Sequence, residues 1–353
     1  MKLLNKLLGR ACPHLDWIQV GVTSRCNASC VYCPHHGLKK SWKGQDMPLK
    51  VFQGLSTSFS SIGLVYLQGW GEPLLHPDFF QMLDLVKKKG ARVGLTSNAT
   101  LLDLDTIKKL TDHGLDVICL SVAGSQEEAN NRIRPGTSLK KVITAIENLH
   151  KVRISRGGSG PQIHLAYMLL RSGLGELEAM PGFFNSLGLD EIVVSSLTLA
   201  LSPEMEKEMY LAGSKPEFAV LKSELRDMKR AADEPERIFF HLFNPYLDGS
   251  ACSENIHKAC YMSVDGTIRP CVYTDFAGLA PHGHFKFLNG NRHPLATLEF
   301  GSIGQKDLGR IWTGQEYQEF RQRFEQGSLV EPCLNCTKRF IDDLGGPQAK
   351  NKS

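Results

Sequence analysis

Short apolar runs bounded by turn residues recur through the first two hundred positions, at 15–22 (LDWIQVGV), 62–68 (IGLVYLQ), 91–96 (ARVGLT), 116–122 (DVICLSV), 162–170 (QIHLAYMLL) and 190–197 (DEIVVSSL). Each has the length and composition of a strand. Between them the apolar period becomes helical. Pro48 precedes Val51, Phe52 and Leu55, and Phe79, Phe80, Leu83 and Val86 make a stripe that ends at Lys87, Lys88, Lys89 and Gly90. Leu104, Ile107 and Leu110 lead to Gly114, and Leu139, Val142, Ile143, Ile146 and Leu149 follow a Thr137/Ser138 cap. Strands alternating with helices predict a parallel sheet under helical cover, as a six-unit open barrel or a doubly wound sheet. Both architectures place ligands at the C-terminal ends of the strands.

The rhythm changes near residue 203. Residues 203–237 are charged, helical in pattern and broken by prolines, which predicts a connector rather than another barrel unit. Phe276 to Arg292 predicts a loop in which His282 and His284 are solvated, and Leu308, Ile311, Trp312, Tyr317 and Phe320 form a helical stripe. At the start, Leu3, Leu4, Leu7 and Leu8 among Lys2, Lys6 and Arg10 predict a short helix closing one end of the fold. The expected organisation is an extension over 1–14, a barrel over 15–202, a helical connector over 203–250, a cysteine-rich domain over 251–345 and a tail over 346–353.

Composition narrows the class. A chain of 353 residues with 42% hydrophobic and 22% charged residues is globular and long enough for two units. A net charge of +4, evenly spread, gives no basic face for nucleic acid. Neither a signal-peptide core nor an apolar run of about 18 residues occurs, which predicts a cytoplasmic protein without a membrane span. Ten cysteines in such a chain point to metal binding in a reducing compartment rather than to disulfides.

The cysteines fall into two sets. Cys26, Cys30 and Cys33 follow the first strand at the spacing C-x3-C-x2-C, and three thiolates leave one position of a metal centre open. The next strand ends carry Gly69-Trp70-Gly71-Glu72-Pro73, then Thr96-Ser97-Asn98, then Ser121-Val122-Ala123-Gly124. Alternation puts Val117, Cys119 and Ser121 on one face, with Cys119 a small buried hydrophobe and Ser121 at the mouth. Farther on, Cys260 and Cys271 flank an Asp265-Gly266 turn, and Cys333 and Cys336 add a C-x2-C pair. Four thiols make a closed site suited to zinc or to an iron-sulfur cluster.

Residues 15–200 resemble the radical S-adenosylmethionine (SAM) superfamily, through the cysteine loop, the Gly69–Pro73 turn, the polar ends of the third and fourth strands and Arg132-Ile133-Arg134-Pro135-Gly136. The resemblance implies a (β/α)6 partial TIM barrel and a 4Fe-4S cluster held by Cys26, Cys30 and Cys33, with the fourth iron chelated by the amino and carboxylate groups of SAM. It implies that Tyr32 packs by the adenine and that Gly69, Gly71, Glu72 and Pro73 form the turn facing the ammonium. Asn98 and Ser121 would bond ribose or carboxylate, and Arg132 or Arg134 would neutralise the carboxylate. Relatives often carry an Asp where this chain has Ala123, and an Asn where it has Arg171-Ser172-Gly173. The second cysteine region resembles the SPASM extension or its shortened form, twitch. That implies one auxiliary 4Fe-4S cluster on Cys260, Cys271, Cys333 and Cys336, with zinc as the alternative metal and Cys252 as an alternative ligand.

The expected activity is that of an oxidoreductase or maturase. It cleaves SAM reductively to a 5′-deoxyadenosyl radical, abstracts a substrate hydrogen and uses the auxiliary cluster in oxidation or bond formation. The substrate is a peptide, a cofactor precursor or a sugar, and the electron donor is of flavodoxin or ferredoxin type. No catalytic side chain stands out. The rival expectations are an RNA methyl- or methylthiotransferase, which needs a basic face, and a non-catalytic iron-sulfur or zinc scaffold, which needs no ligand groove.

Overall fold

The computed structural model describes residues 14–276 and 284–344. The N-terminal helix expected over Met1 to Arg10 and the loop residue His282 lie outside the described residues. The expected strands form as β1 (Leu15–Val20), β2 (Ile62–Leu67), β3 (Arg92–Ser97), β4 (Val117–Val122), β5 (Gln162–Leu169) and β6 (Glu191–Ser196). Helices Leu49–Gln53, Phe79–Lys87, Leu104–Asp112 and Leu139–Ser155 stand where the stripes placed them, and Ser138 caps the last by accepting from the amide of Lys141. Along β5 the alternate residues Ile163, Leu165, Tyr167 and Leu169 are buried against the helical layer. His164, Ala166 and Met168 face the inside of the curved sheet.

The sheet is larger than six strands. Its order is β12-β7-β6-β5-β4-β3-β2-β1-β8-β9, adding β7 (Ile238–Phe243), β8 (Ala259–Met262), β9 (Ile268–Arg269) and β12 (Ile341–Leu344). From β7 through β1 to β8 all neighbours are parallel, and only the outermost pairs are antiparallel. The expected connector over 203–250 is therefore corrected. Helix Lys215–Arg230 buries Phe218, Leu221, Leu225 and Met228, and the apolar run IFFHLF follows it as β7 beside β6, so the segment is a seventh βα unit. The charges that suggested a connector lie on the solvent side of that helix.

The cysteine-rich region packs directly on the barrel. β8 pairs with β1 through Ile18↔Cys260 and Val20↔Met262 and continues the same sheet. Leu308, Ile311, Trp312, Tyr317 and Phe320 all enter the core that holds Ile18, Leu67 and Leu95. Phe300 stacks on Tyr317 with ring centres 3.9 Å apart. Where a loop was expected over 276–292, a short hairpin forms from β10 (Phe285–Leu288) and β11 (Asn291–Pro294), and Phe287 donates its amide to the carbonyl of Ala200. Among the described residues no helix is long and apolar enough to cross a membrane.

Candidate active site

The strand order delivers the Cys26–Cys33 loop, the Gly69–Pro73 turn and the ends of β3 and β4 to one rim. Backbone hydrogen bonds then lock the loop. The amide of Glu72 donates to the Arg25 carbonyl at 2.9 Å, that of Ser29 to Pro135 at 2.7 Å and that of Val31 to Ile133 at 2.9 Å. The turn after β2 and the Ile133–Gly136 segment thus clamp the loop from two sides. Gly136 has φ +89°, and a Cβ there would stand 2.7 Å from the Asn27 carbonyl. At Gly71 a Cβ would overlap the carbonyl oxygens of Thr23 and Arg25, and at Gly69 it would come within 2.7 Å of Gly21 Cα. These two glycines therefore let the turn press against the cysteine loop. Gly71→Ala is expected to cost about 1–3 kcal/mol, the usual cost of overpacking, and to reduce bound iron. Thermal unfolding and iron analysis check it.

Glu72 is 2% exposed, and both its oxygens are engaged: Oε1 accepts from the Ser97 hydroxyl at 2.9 Å and Oε2 from the Asn98 amide at 2.7 Å. Burial lifts its carboxyl to about 7, against the pull of those donors. Its bonds join the β2 turn to the end of β3. Pro73, itself buried, starts the 3-10 turn that follows. The Asn98 side chain donates to Asn27 Oδ1 at 2.8 Å and accepts from Thr100 at 2.6 Å, so it braces the same loop from the β3 side.

A cavity of about 440 Å³ opens beneath these elements. Cys26, Cys30, Cys33, Tyr32, Gly69, Gly71, Glu72, Asn98, Ser121 and Arg134 line it. Burial pushes the Cys26 thiol up to about 11 and the Cys33 thiol up to about 12. Arg134 is 2% exposed, yet its Nε and Nη1 have no hydrogen-bond partner. Arg132 separates from this group: it is exposed and lines a neighbouring cavity with His36 and Glu204, to which Tyr32 also contributes. Cys119 is buried, as expected, and His164 lies 3.8 Å from Glu191 without lining the cavity.

The far wall of the cavity comes from the C-terminal region. Glu254, Val272, Tyr273 and Lys338 contribute to it. Lys338 Nζ pairs with Glu254 Oε1 at 2.8 Å and sits 5.2 Å from the Tyr273 ring centre, and the Tyr273 hydroxyl is 2.6 Å from that of Thr198. Trp70 stacks on Tyr273 and donates to the Asp275 carbonyl at 3.3 Å, tying the β2 turn to this wall. Sequence reasoning singled out none of Glu254, Val272, Tyr273 and Lys338, because only the long-range fold brings them to the cavity that Trp70 also lines.

Tyr273 and Lys338 also border a second, small pocket. Its thiols are Cys252, Cys271, Cys333 and Cys336, within a shell that includes Ile256, Phe320 and Phe324. Burial pushes Cys333 up to about 12 and raises Cys252, Cys271 and Cys336 as well. Cys260, expected in this set, is absent from the lining. It lies within β8, 3% exposed and packed in the core, whereas Cys252 stands in the loop ahead of β8 that reaches the pocket.

Residues 20–171 match the family model of the radical SAM superfamily, and residues 252–337 match that of the SPASM iron-sulfur cluster-binding domain. The chain carries a radical SAM domain followed by a SPASM domain. It is 27% identical over 343 residues to the tungsten-containing aldehyde ferredoxin oxidoreductase cofactor-modifying protein of Pyrococcus furiosus, covering 94% of this chain and 89% of that one. Its fold is similar to that of Streptococcus suis SuiB bound to SAM, with TM-score 0.63 at 14% identity over 96% of this chain and 74% of SuiB, a protein also solved with its precursor peptide SuiA. It is similar as well to BtrN in complex with AdoMet and 2-DOIA, with TM-score 0.53 at 16% identity over 92% and 94% of the two chains.

This radical SAM enzyme therefore uses a SAM-binding 4Fe-4S cluster and an auxiliary cluster. The residues present fit both. A buried guanidinium that bonds the Cys30 thiol and leaves Nε and Nη1 without a partner suits an anion, which a thiolate-bound cluster and the carboxylate of SAM would supply. The first three thiols border the cavity, as suits a cluster whose irons each take one thiolate.

Proposed function

We propose that Cys26, Cys30 and Cys33 hold the SAM-binding cluster, that Cys252, Cys271, Cys333 and Cys336 hold the auxiliary cluster, and that a peptide or cofactor precursor is oxidatively modified in the cavity between them. One observation carries this reading: a single cavity has the first thiol set on one wall and, on the other, Tyr273 and Lys338, which also border the second set. When bound, the first cluster supplies the electron that cleaves SAM reductively, and the auxiliary cluster supplies a place for an electron leaving the substrate. A one-electron donor protein of flavodoxin or ferredoxin type fits that demand.

The chain's own residues position and deprotonate. Arg134 faces the SAM carboxylate and Tyr32 the adenine, while Gly69, Gly71, Glu72, Pro73 and Asn98 hold the rim in register. Ser121 offers a hydroxyl to the ribose. Glu72 has spent both oxygens, so Glu254 is the lining carboxylate with an oxygen, Oε2, that has no protein partner among the described residues. It receives the proton that oxidation removes from the substrate, and the ion pair with Lys338 holds it in place for that task.

Anaerobically reconstituted protein with dithionite and SAM is expected to form 5′-deoxyadenosine, and deuterated substrate candidates are expected to pass label into it. Glu254→Gln should keep SAM cleavage while product formation falls about 10²- to 10⁴-fold, the usual contribution of a general base. Product formation at the wild-type rate in that variant would remove Glu254 from the reaction. Absence of 5′-deoxyadenosine from the loaded wild-type protein would refute the reading as a whole.

A further inference from the structure

Three cations gather around the second thiol pocket. Lys286, on β10, donates from Nζ to the carbonyl of Asn335 at 2.8 Å, inside the loop between Cys333 and Cys336. Arg339 donates from Nη1 to the Leu334 carbonyl at 3.2 Å and from Nε to Gly249 at 2.8 Å. Lys338 lines the pocket from the cavity side and is paired with Glu254. Among the described residues the carboxylates that face them are Glu254, paired with Lys338, the exposed Glu331 toward Lys286, and the more distant Asp343 and Asp248 toward Lys338 and Arg339. The first site differs: among the described residues the fully buried cation lining its cavity is Arg134, in the same lining as the buried Glu72.

We propose that Lys286, Lys338 and Arg339 form a cationic collar that raises the reduction potential of the auxiliary cluster and so makes it the electron-accepting member of the pair. The inference rests on the cluster ligands proposed above. Reduction adds one negative charge to a cluster already made anionic by its thiolates, and fixed positive charge in a partly desolvated pocket favours that addition. Four protein thiolates complete the ligand set, so the collar acts on a cluster with no position left for substrate. Lys286 sets the sign most cleanly, because its hydrogen-bond partner is a neutral carbonyl. Lys338 and Glu254 offset each other in part.

The test is a potentiometric EPR titration of the full reconstituted protein, with the first cluster's signal assigned by its response to SAM. Lys286→Met is expected to lower the auxiliary midpoint so that, at the wild-type midpoint, the oxidised-to-reduced ratio rises about threefold or more, near 30 mV at 59 mV per tenfold. Lys286→Arg should restore it. Glu254→Gln should move the midpoint the other way, and it leaves the loop between Cys333 and Cys336 untouched should Lys286→Met disturb that loop. A purely structural role for these residues would not give opposite signs. Midpoints equal to wild type in both Lys286→Met and Glu254→Gln, with iron content unchanged, overturn the collar. Retention of all iron in Cys252→Ala would instead overturn the ligand assignment, so the two failures are distinguishable.

Discussion

Cys30→Ala is expected to abolish reductive cleavage of SAM, with 5′-deoxyadenosine formation falling by more than about 100-fold, since loss of a ligand exceeds the 10- to 100-fold cost typical of second-shell changes. Bound iron should drop from about eight to about four per chain, because the second thiol pocket is built without the first loop. The fold should persist: the loop is held by backbone bonds that join Arg25, Ser29 and Val31 to Glu72, Pro135 and Ile133 rather than by the Cys30 side chain. Quantifying 5′-deoxyadenosine, iron and the circular dichroism melt on one preparation tests all three. Cleavage at the wild-type rate would remove the cysteine loop from the chemistry.

The paired substitutions Cys252→Ala and Cys260→Ala have the second large expected effect, and in opposite directions. Cys252 lines the pocket with Cys271, Cys333 and Cys336, so its loss should release about four irons and the auxiliary EPR signal. Cys260 packs in β8 against the barrel core, so its replacement should leave iron content intact and cost only stability, of the order of 1 kcal/mol for a small buried side chain. Iron analysis of the two purified variants separates them. Iron loss in Cys260→Ala with retention in Cys252→Ala would reverse the assignment.

Most of the barrel was legible because its strands are short, apolar and bracketed by turn residues, so β1 to β6 formed within a residue or two of the expected bounds. β7 was legible in principle, since IFFHLF is as apolar as any of them, but the charged helix before it hid the βα rhythm. In the site, Cys26, Cys30 and Cys33 could be read because ligands that are close in sequence are close in space. The second set could not be read fully, because a hairpin's two flanks looked equally able to donate. The proposal prefers Cys252 to Cys260 because β8 joins the main sheet beside β1 and Cys260 is buried in the core there. Glu254, Tyr273 and Lys338 carry no local signal at all, since only the long-range fold brings them to the cavity that Trp70 also lines.

Gly69, Gly71, Glu72 and Asn98 gained a physical account that motif reading lacked. They hold the cysteine loop by close backbone approach and by a buried carboxylate that bridges two strand ends. Arg132 and Arg134, equivalent in sequence, part company in space because Arg132 lies in helix Glu127–Ile133 and points to solvent, while Arg134 follows its end and turns inward.

The central claim, two separate cluster sites of which only the first engages SAM, is tested most directly by EPR and iron analysis of the Cys26→Ala, Cys30→Ala, Cys33→Ala triple variant after anaerobic reconstitution. The expected result is about four irons per chain and a reduced-cluster spectrum that SAM leaves unchanged. A spectrum that still shifts on addition of SAM, or a protein with no iron, would contradict it.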